Sequence, residues 1–209
     1  MSKPTPHNYD SRIDTVLDFW FGDQSEGFPI EDKNYLWWSA NPEVDEEIRQ
    51  KFGELINLAG NGKLSSWHET VKGNLALIIV LDQLTRNVYR GTARAFEYDH
   101  ITLEITKEGI SKGIDLQLTV SECLAFYRTL QHSENIDDQN LCIELIEQML
   151  QKSPEAIRSR IQEVLKFAIV HRDIVAKFGR FPHRNRALGR ESTPFELEYL
   201  EAGGKRFGQ

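Results

Sequence analysis

Trp67-His68-Glu69-Thr70-Val71-Lys72-Gly73-Asn74-Leu75-Ala76-Leu77-Ile78-Ile79-Val80-Leu81-Asp82-Gln83-Leu84-Thr85-Arg86-Asn87-Val88-Tyr89 contains the longest unbroken apolar run of the chain, the seven residues Leu75 to Leu81. Taken alone, such a run suits a buried strand as well as a helix. Its flanks make the choice. Wound at 100° per residue, Leu77, Leu81, Leu84 and Val88 share one face. Val71, Leu75 and Ile78 share a second, which continues into Asp82 and Arg86. A periodic pattern of this length is a helix, and apolar residues on two faces place it centrally in a core. Ser66-x-x-Glu69 reads as the capping box that opens it.

On either side, helix signals recur. Asp10 can cap a helix striped by Ile13, Val16, Leu17 and Trp20 and ended by Gly22. Asn41-Pro42 supplies an N-cap and a first-turn proline, and Glu43, Asp45, Glu46 and Glu47 suit the positive end of the dipole. Val44, Ile48, Phe52, Leu55, Ile56 and Ala59 form that helix's apolar face. Thr119-x-x-Glu122 and Thr193-Pro194-x-Glu196 are further capping boxes, and Ser153-Pro154 opens a long helix ended by Gly179. Two more helices lie near Ala93 to Lys112 and Asp137 to Leu150. No segment alternates as a half-buried strand does, and the turns are short and polar. The expectation is an all-α antiparallel bundle or array of about eight or nine helices. Residues 1–209 read as a single domain, with 1–9 as a flexible N-terminal tail.

Composition narrows the function. At 40% apolar and 27% charged residues the chain is globular. A net charge of -7 argues against nucleic acid as partner, since phosphate binding needs concentrated positive charge. The seven-residue apolar run falls far short of the roughly 18 needed to span a bilayer. No signal peptide is visible, so the cytoplasm is the expected compartment. Cys123 and Cys142, the only cysteines, sit at apolar helix positions and read as reduced core residues. Phe19, Trp20, Trp37, Trp38 and Trp67 read as core or helix-contact aromatics.

The candidate site comes from places where the helical wheel breaks its own rule. Asp82 and Arg86 extend an apolar face, so they either pair at i, i+4 or line a cavity. In the long helix Ile157, Ile161, Val164, Leu165 and Ala168 define a stripe that His171, Arg172 and Val175 continue. The segment Gly179-Arg180-Phe181-Pro182-His183-Arg184-Asn185-Arg186-Ala187-Leu188-Gly189-Arg190 carries four arginines, one histidine and no acid. Its glycines and proline make it a loop or broken helix, where functional groups are often presented. Against this stands pairing with the acidic last helix through Glu191, Glu196, Glu198 and Glu201. A fourth cluster, His132-Ser133-Glu134 with Asp137, Asp138 and Gln139, falls at a turn and a helix N-terminus, where Asp138 can also serve as a capping acid.

These segments resemble a bacterial family catalogued as domain of unknown function 924. The resemblance is carried by Val16-Leu17-Asp18-Phe19-Trp20-Phe21-Gly22, by Leu81 to Asn87 with Tyr89 to Phe96, by His132-Ser133-Glu134 with Asp138-Gln139, and by His171-Arg172-Asp173-Ile174 followed by Phe178 to Asn185 and Leu188-Gly189-Arg190. It spans nearly the whole chain and implies a helical, tetratricopeptide-like fold with no settled activity. Leu84-Thr85 departs from the family's usual Phe-Pro, and Leu130-Gln131 stands where a proline-containing stretch is common.

Other chemistries find little support. His132, Glu134, His171, Asp173 and His183 lack metal-ligand spacing, so no metal or other cofactor is expected. Gly60-Asn61-Gly62-Lys63 is no nucleotide loop, and neither cysteine has a visible activating partner. Arginine chemistry remains. Arg86, Arg90, Arg172, Arg180 and Arg184 match carboxylate or phosphate oxygens, with Gln83, Asn87 and Asn185 orienting and Glu134 and His183 alongside. One reading is a pocket for a small anion or a peptide carboxylate. Another is a hydrolase or transferase acting on a phosphorylated or carboxylated metabolite. In that enzyme His171 or His132 works as acid or base, oriented by Asp82 or Glu134. A third has every charge paired internally around no cavity.

Overall fold

The structure is a computed structural model and describes residues 9–38 and 40–208. Most of the proposed N-terminal tail therefore lies outside the described residues; Tyr9 is exposed and donates to Asp14. The chain runs through α1 (Arg12–Phe21), a two-stranded hairpin of β1 (Gln24–Ser25) and β2 (Phe28–Pro29), α2 (Asn34–Trp37) and α3 (Pro42–Gly60). Next comes the central helix, in which α4 (Val71–Ile78) passes through a π-helical turn (Ile79–Leu84) into α5 (Thr85–Val88). Then follow α6 (Asp99–Ser111), α7 (Val120–His132), α8 (Ile136–Lys152), α9 (Glu155–Phe178) and α10 (Pro194–Glu201). Counting Val71–Val88 once, that is nine helices among the described residues, so the fold is all-α as expected. The hairpin and α2 carry no period long enough to be read from sequence.

Every residue from Gly73 to Val88 is buried. The central helix has no solvent face, and its polar residues must find partners inside the protein. It packs on α3 and α6, while α6, α7, α8 and α9 follow one another through short turns and pack as successive neighbours. Gly109 permits the close approach of α6 and α7, since a Cβ there would stand 2.5 Å from Phe126 Cζ. One large apolar cluster fills the centre, with Trp67, Phe126, Ile48 and Leu75 fully buried. A smaller cluster of Ile174, Val175 and Phe181, with Tyr199 and Phe207 against it, anchors the segment after α9.

Local caps account for several helix boundaries. Asn41 accepts from the Glu43 amide, both expected Thr/Glu capping boxes form at Thr119 and Thr193, and Gly179 ends α9 in the left-handed conformation at φ 71°. The Ser66 box does not form. Ser65–Glu69 is a 3₁₀ turn, and the Thr70 hydroxyl caps the central helix by accepting from the Gly73 amide at 3.0 Å. Asn74 Nδ2 reinforces this start by donating to the carbonyls of His68 and Thr70. Cys123 and Cys142 are free and buried, and burial pushes both thiols up to about 12. No described helix is long and apolar enough to cross a membrane.

Candidate functional site

The widened turn of the central helix presents Asp82 to the interior, fully buried. Asp82 Oδ1 accepts from Arg86 Nη1 at 2.7 Å and lies 2.7 Å from His132 Nδ1, while Gln83 donates to Oδ2. Arg86 Nη2 donates to Asp99 Oδ2 at 2.9 Å, and Arg184 Nη1 approaches the same oxygen at 3.4 Å. The guanidinium of Arg184 also lies over the rings of Phe96 and Phe181, at 4.7 and 4.5 Å. The turn after Phe178 therefore meets the Asp82–Arg86 face through Asp99. Three sequence-distant segments converge there.

Burial opposes the Asp82 charge, but Arg86, His132 and Gln83 outweigh it and hold the carboxyl below the usual range. Asp82 is thus an anion that can only accept. A neutral His132 must carry its proton on Nδ1 and leave the Nε2 lone pair without a protein partner among the described residues. Burial, then the nearby Arg86 charge, lowers His132 to about 4. Burial likewise lowers His171 and His183 to about 3, and all three are neutral at pH 7. Burial lowers Arg184 to about 10, so it stays charged there. Asp99 is raised, chiefly by burial, against the pull of Arg86 and Arg184.

Beside this network opens a cavity of about 410 Å³. Gln83, Arg86, Asn87 and Arg90 line it from the central helix and the turn that follows; Arg128, Gln131 and His132 line it from α7. Phe167 and His171 contribute from α9, Leu36, Trp37 and Trp38 from α2 and its end. Lys205, Phe207 and Gly208 cross from the C-terminal segment. The Phe207 ring stacks on His171 at 3.9 Å between centroids, and Arg90 holds the Gly208 carbonyl. Two of the four cationic side chains that line the cavity are neutralised, and a third, Lys205, is exposed to solvent. Arg86 has Asp82 and Asp99; Arg90 forms a bidentate pair with Asp45 at 2.7 and 2.8 Å, which Asn87 Nδ2 also reaches.

Arg128 is different. Its guanidinium lies over the Trp38 ring at 4.5 Å and makes no ion pair or hydrogen bond among the described residues. Burial lowers it to about 10, so it remains a cation at neutral pH. No group of three His, Cys, Asp or Glu side chains among the described residues could hold a metal ion.

The sequence pattern of a bacterial family described as "Bacterial protein of unknown function (DUF924)" matches residues 16–204. The chain belongs to the DUF924 family. It is also similar to a solved structure, the protein of unknown function ATU0120 from Agrobacterium tumefaciens. The two are 31% identical over 93% of this chain and 100% of the other, with a TM-score of 0.76. No curated protein matches.

In this DUF924 protein the expected site residues divide into two groups. Gln83, Arg86, Asn87, Arg90, His132 and His171 line the cavity, with Asp82 directly behind them. The others stand away from it. Arg172 turns outward to Asp173 at 2.7 Å, because its position straddles the edge of the buried stripe. Arg180 forms a bidentate pair with Glu196 of α10, so pairing with the last helix accounts for it, and it does not line this cavity. Glu134 accepts twice from Arg190, at 2.6 and 3.0 Å, and once from the Phe181 amide, tying the loop to the turn between α7 and α8. Asn185 is buried and bridges Arg190 and Ser192, and Arg184 is held by Asp99. His183 packs toward Phe181 and Phe207, with Nδ1 buried and unpartnered.

Sequence reading of this DUF924 protein missed Arg128, Asp99 and Asp45. Asp45 and Asp99 each sit in a first helical turn, where an acid is explained by the dipole alone. Arg128 carried a usable signal: it lies one turn before His132, at i−4 on the same face of α7.

Proposed function

We propose that this protein binds a small anionic molecule, a carboxylate above all, in the cavity between the central helix, α7 and α9. Arg128 is the anchor. One observation carries the reading: a half-buried guanidinium borders a cavity with an aromatic ring as its only partner among the described residues, while Arg86, Arg90, Arg180, Arg184 and Arg190 all have carboxylates. A poorly solvated cation without a counter-ion is costly, and a bound anion removes that cost. Gln83, Asn87 and Gln131 add neutral groups for orientation. Recognition by a tetratricopeptide-like scaffold would suit this reading, by analogy of fold alone.

The test is a thermal-shift titration with acetate, formate and phosphate. A ligand that binds the folded state raises Tm with concentration, by about 2.7 kcal/mol of stabilisation at 100 times its Kd. The shift should vanish in Arg128→Met, with the unliganded Tm equal to or above that of the parent. An Arg128→Met protein that keeps the full shift overturns the reading.

One observation favours an enzyme as the second reading. His132 is oriented by a buried carboxylate and has a free Nε2 on the cavity wall, an acid–base arrangement for a hydrolase or transferase acting on a phosphorylated or carboxylated metabolite. Its low proton affinity makes it a weak base in the empty cavity, and the cavity wall offers no serine, threonine or cysteine as nucleophile, which ranks binding first. Turnover of phosphate or carboxylate esters that disappears in His132→Gln would reverse that ranking.

A further inference from the structure

A second cavity, of about 630 Å³, shares Trp37, Trp38, Arg128 and Phe167 with the first. The rest of its wall is largely apolar: Trp20 and Phe21 of α1, Phe28 of β2, Leu124 and Ala125 of α7, and Val164 of α9. Its acids are already satisfied. Glu31 pairs with Lys33 at 3.0 Å, Glu163 pairs with Lys166 at 2.7 Å, and Asp32 accepts from the Asn34 amide at 2.8 Å. Two of the apolar groups lining it remain in contact with water, Trp38 at 43% and Ile30 at 67% exposure. Two cations border it without a carboxylate partner among the described residues, the exposed Arg160 over the Phe28 ring at 5.1 Å and the half-buried Arg128; an aromatic-walled concavity of this size and charge has the composition of a small-molecule site.

We infer that the two cavities together accept one amphipathic molecule, a carboxylate seated on Arg128 with an aryl-alkyl body lying against Trp20, Phe28, Trp37 and Val164. The inference rests on Arg128 as the anion anchor and adds the ligand class. Two independent costs point to it. The Arg128 guanidinium lacks a counter-ion among the described residues, and the wall keeps apolar surface of Trp38 and Ile30 in water. A bare anion such as acetate relieves the first alone; a neutral aromatic relieves the second alone. A molecule that relieves both must carry its charge at one end, because Arg128 borders both cavities whereas the aromatic wall belongs mainly to one.

Calorimetric titration with acetate, 4-phenylbutanoate and 4-phenylbutanamide separates the possibilities. The expected order has 4-phenylbutanoate binding about 100-fold tighter than acetate, from the apolar area it buries. It should also bind at least about tenfold tighter than its uncharged amide, from the charge-assisted contact. Val164→Trp fills the apolar cavity and should remove the advantage of 4-phenylbutanoate while leaving acetate binding unchanged. Ile30→Glu, at an exposed position that should not affect folding, should cause the same selective loss by placing a repelling charge on the wall. If acetate binds through Arg128 and 4-phenylbutanoate binds no tighter, this inference falls and the anion reading stands. Equal affinity for acid and amide also overturns it, since charge then plays no part. If no probe binds, or Arg128→Met leaves all affinities intact, the anion reading itself falls.

Discussion

One oxygen of Asp82 contacts both His132 Nδ1 and Arg86 Nη1, each at 2.7 Å, so a single buried carboxylate orients an imidazole and neutralises a guanidinium. The arrangement follows from the central helix being buried on all sides. Asp82 has no route to water, and its charge is tolerated only because three donors converge on it: Arg86 one turn later, Gln83 beside it and His132 from α7. The cavity lies on the far side of those donors. Whatever binds there meets a wall on which Arg86 and Arg90 are already balanced, while the half-buried Arg128 and the exposed Lys205 have no carboxylate partner among the described residues.

Removing Asp82 should therefore destabilise the protein severely. Asp82→Ala leaves Arg86 with only Asp99 and His132 with no carboxylate, in surroundings that solvate neither, and should cost about 3–5 kcal/mol. Urea unfolding followed by tryptophan fluorescence measures it. A loss under about 1 kcal/mol would mean that water reaches Arg86 and His132 freely, contrary to their burial.

The three buried histidines set the pH dependence of stability. Their folded values, about 4 for His132 and about 3 for His171 and His183, lie below the unfolded value near 6.5. The unfolded chain therefore binds protons first as pH falls. Stability is fully present above pH 6.5, declines as pH drops from there, and the histidine contribution is lost by about pH 3. Each histidine contributes a slope of up to about 1.4 kcal/mol per pH unit inside that window. Unfolding curves at pH 7.5, 6.0 and 5.0 should show a progressive fall, steepest below 6. His171→Phe, which keeps a ring against Phe207 and removes one titrating group, should flatten it. Equal stability at pH 7.5 and 5.0 would contradict the neutral burial of these rings.

How much of this was legible in the sequence depends on whether the deciding interaction is local. Thr119 with Glu122, Thr193 with Glu196, and Asn41 with the Glu43 amide all close within four residues, and all three form. The 100° wheel found Asp82, Arg86 and His171 because an apolar stripe running into a polar residue is visible within one helix. It could not tell what stands opposite. Arg180 and Arg190 carry the same charge in the same loop as Arg184, yet Glu196 and Glu134 take the first two while Arg184 turns inward to Asp99. Those partners lie 16, 56 and 85 residues away. The cavity walls were hidden for a related reason: Trp37 and Trp38 look like core aromatics until the packing leaves space beside them.

Glu134 should act as the clasp of the loop after α9. It accepts the Phe181 amide at 2.8 Å and both terminal nitrogens of Arg190. Glu134→Gln keeps the shape but loses the charge-assisted pair, with an expected cost of about 1–3 kcal/mol. The distinguishing readout is local: hydrogen exchange should accelerate at residues 180–190 and remain unchanged in α3, whose contacts are elsewhere. Uniform acceleration, or none, would deny the clasp.

Phe207 should govern access to the cavity that it lines. Its ring stacks on His171 and meets Phe167, Phe181 and His183 edge-on, and the next residue's carbonyl is held by Arg90. It holds this position with a φ of 52°, in the left-handed region that a phenylalanine adopts only when its surroundings compensate. That conformational cost limits how firmly the segment is held, and none of the described residues C-terminal to α10 belongs to the main core. Phe207→Ala should lower stability by no more than about 2 kcal/mol, since the ring is only part-buried. It should also open the cavity, so association of 4-phenylbutanoate or acetate quickens. Stopped-flow tryptophan fluorescence of parent and variant measures the difference. If both associate at the same rate, the segment from Lys205 to Gly208 is a passive part of the wall and not a cover.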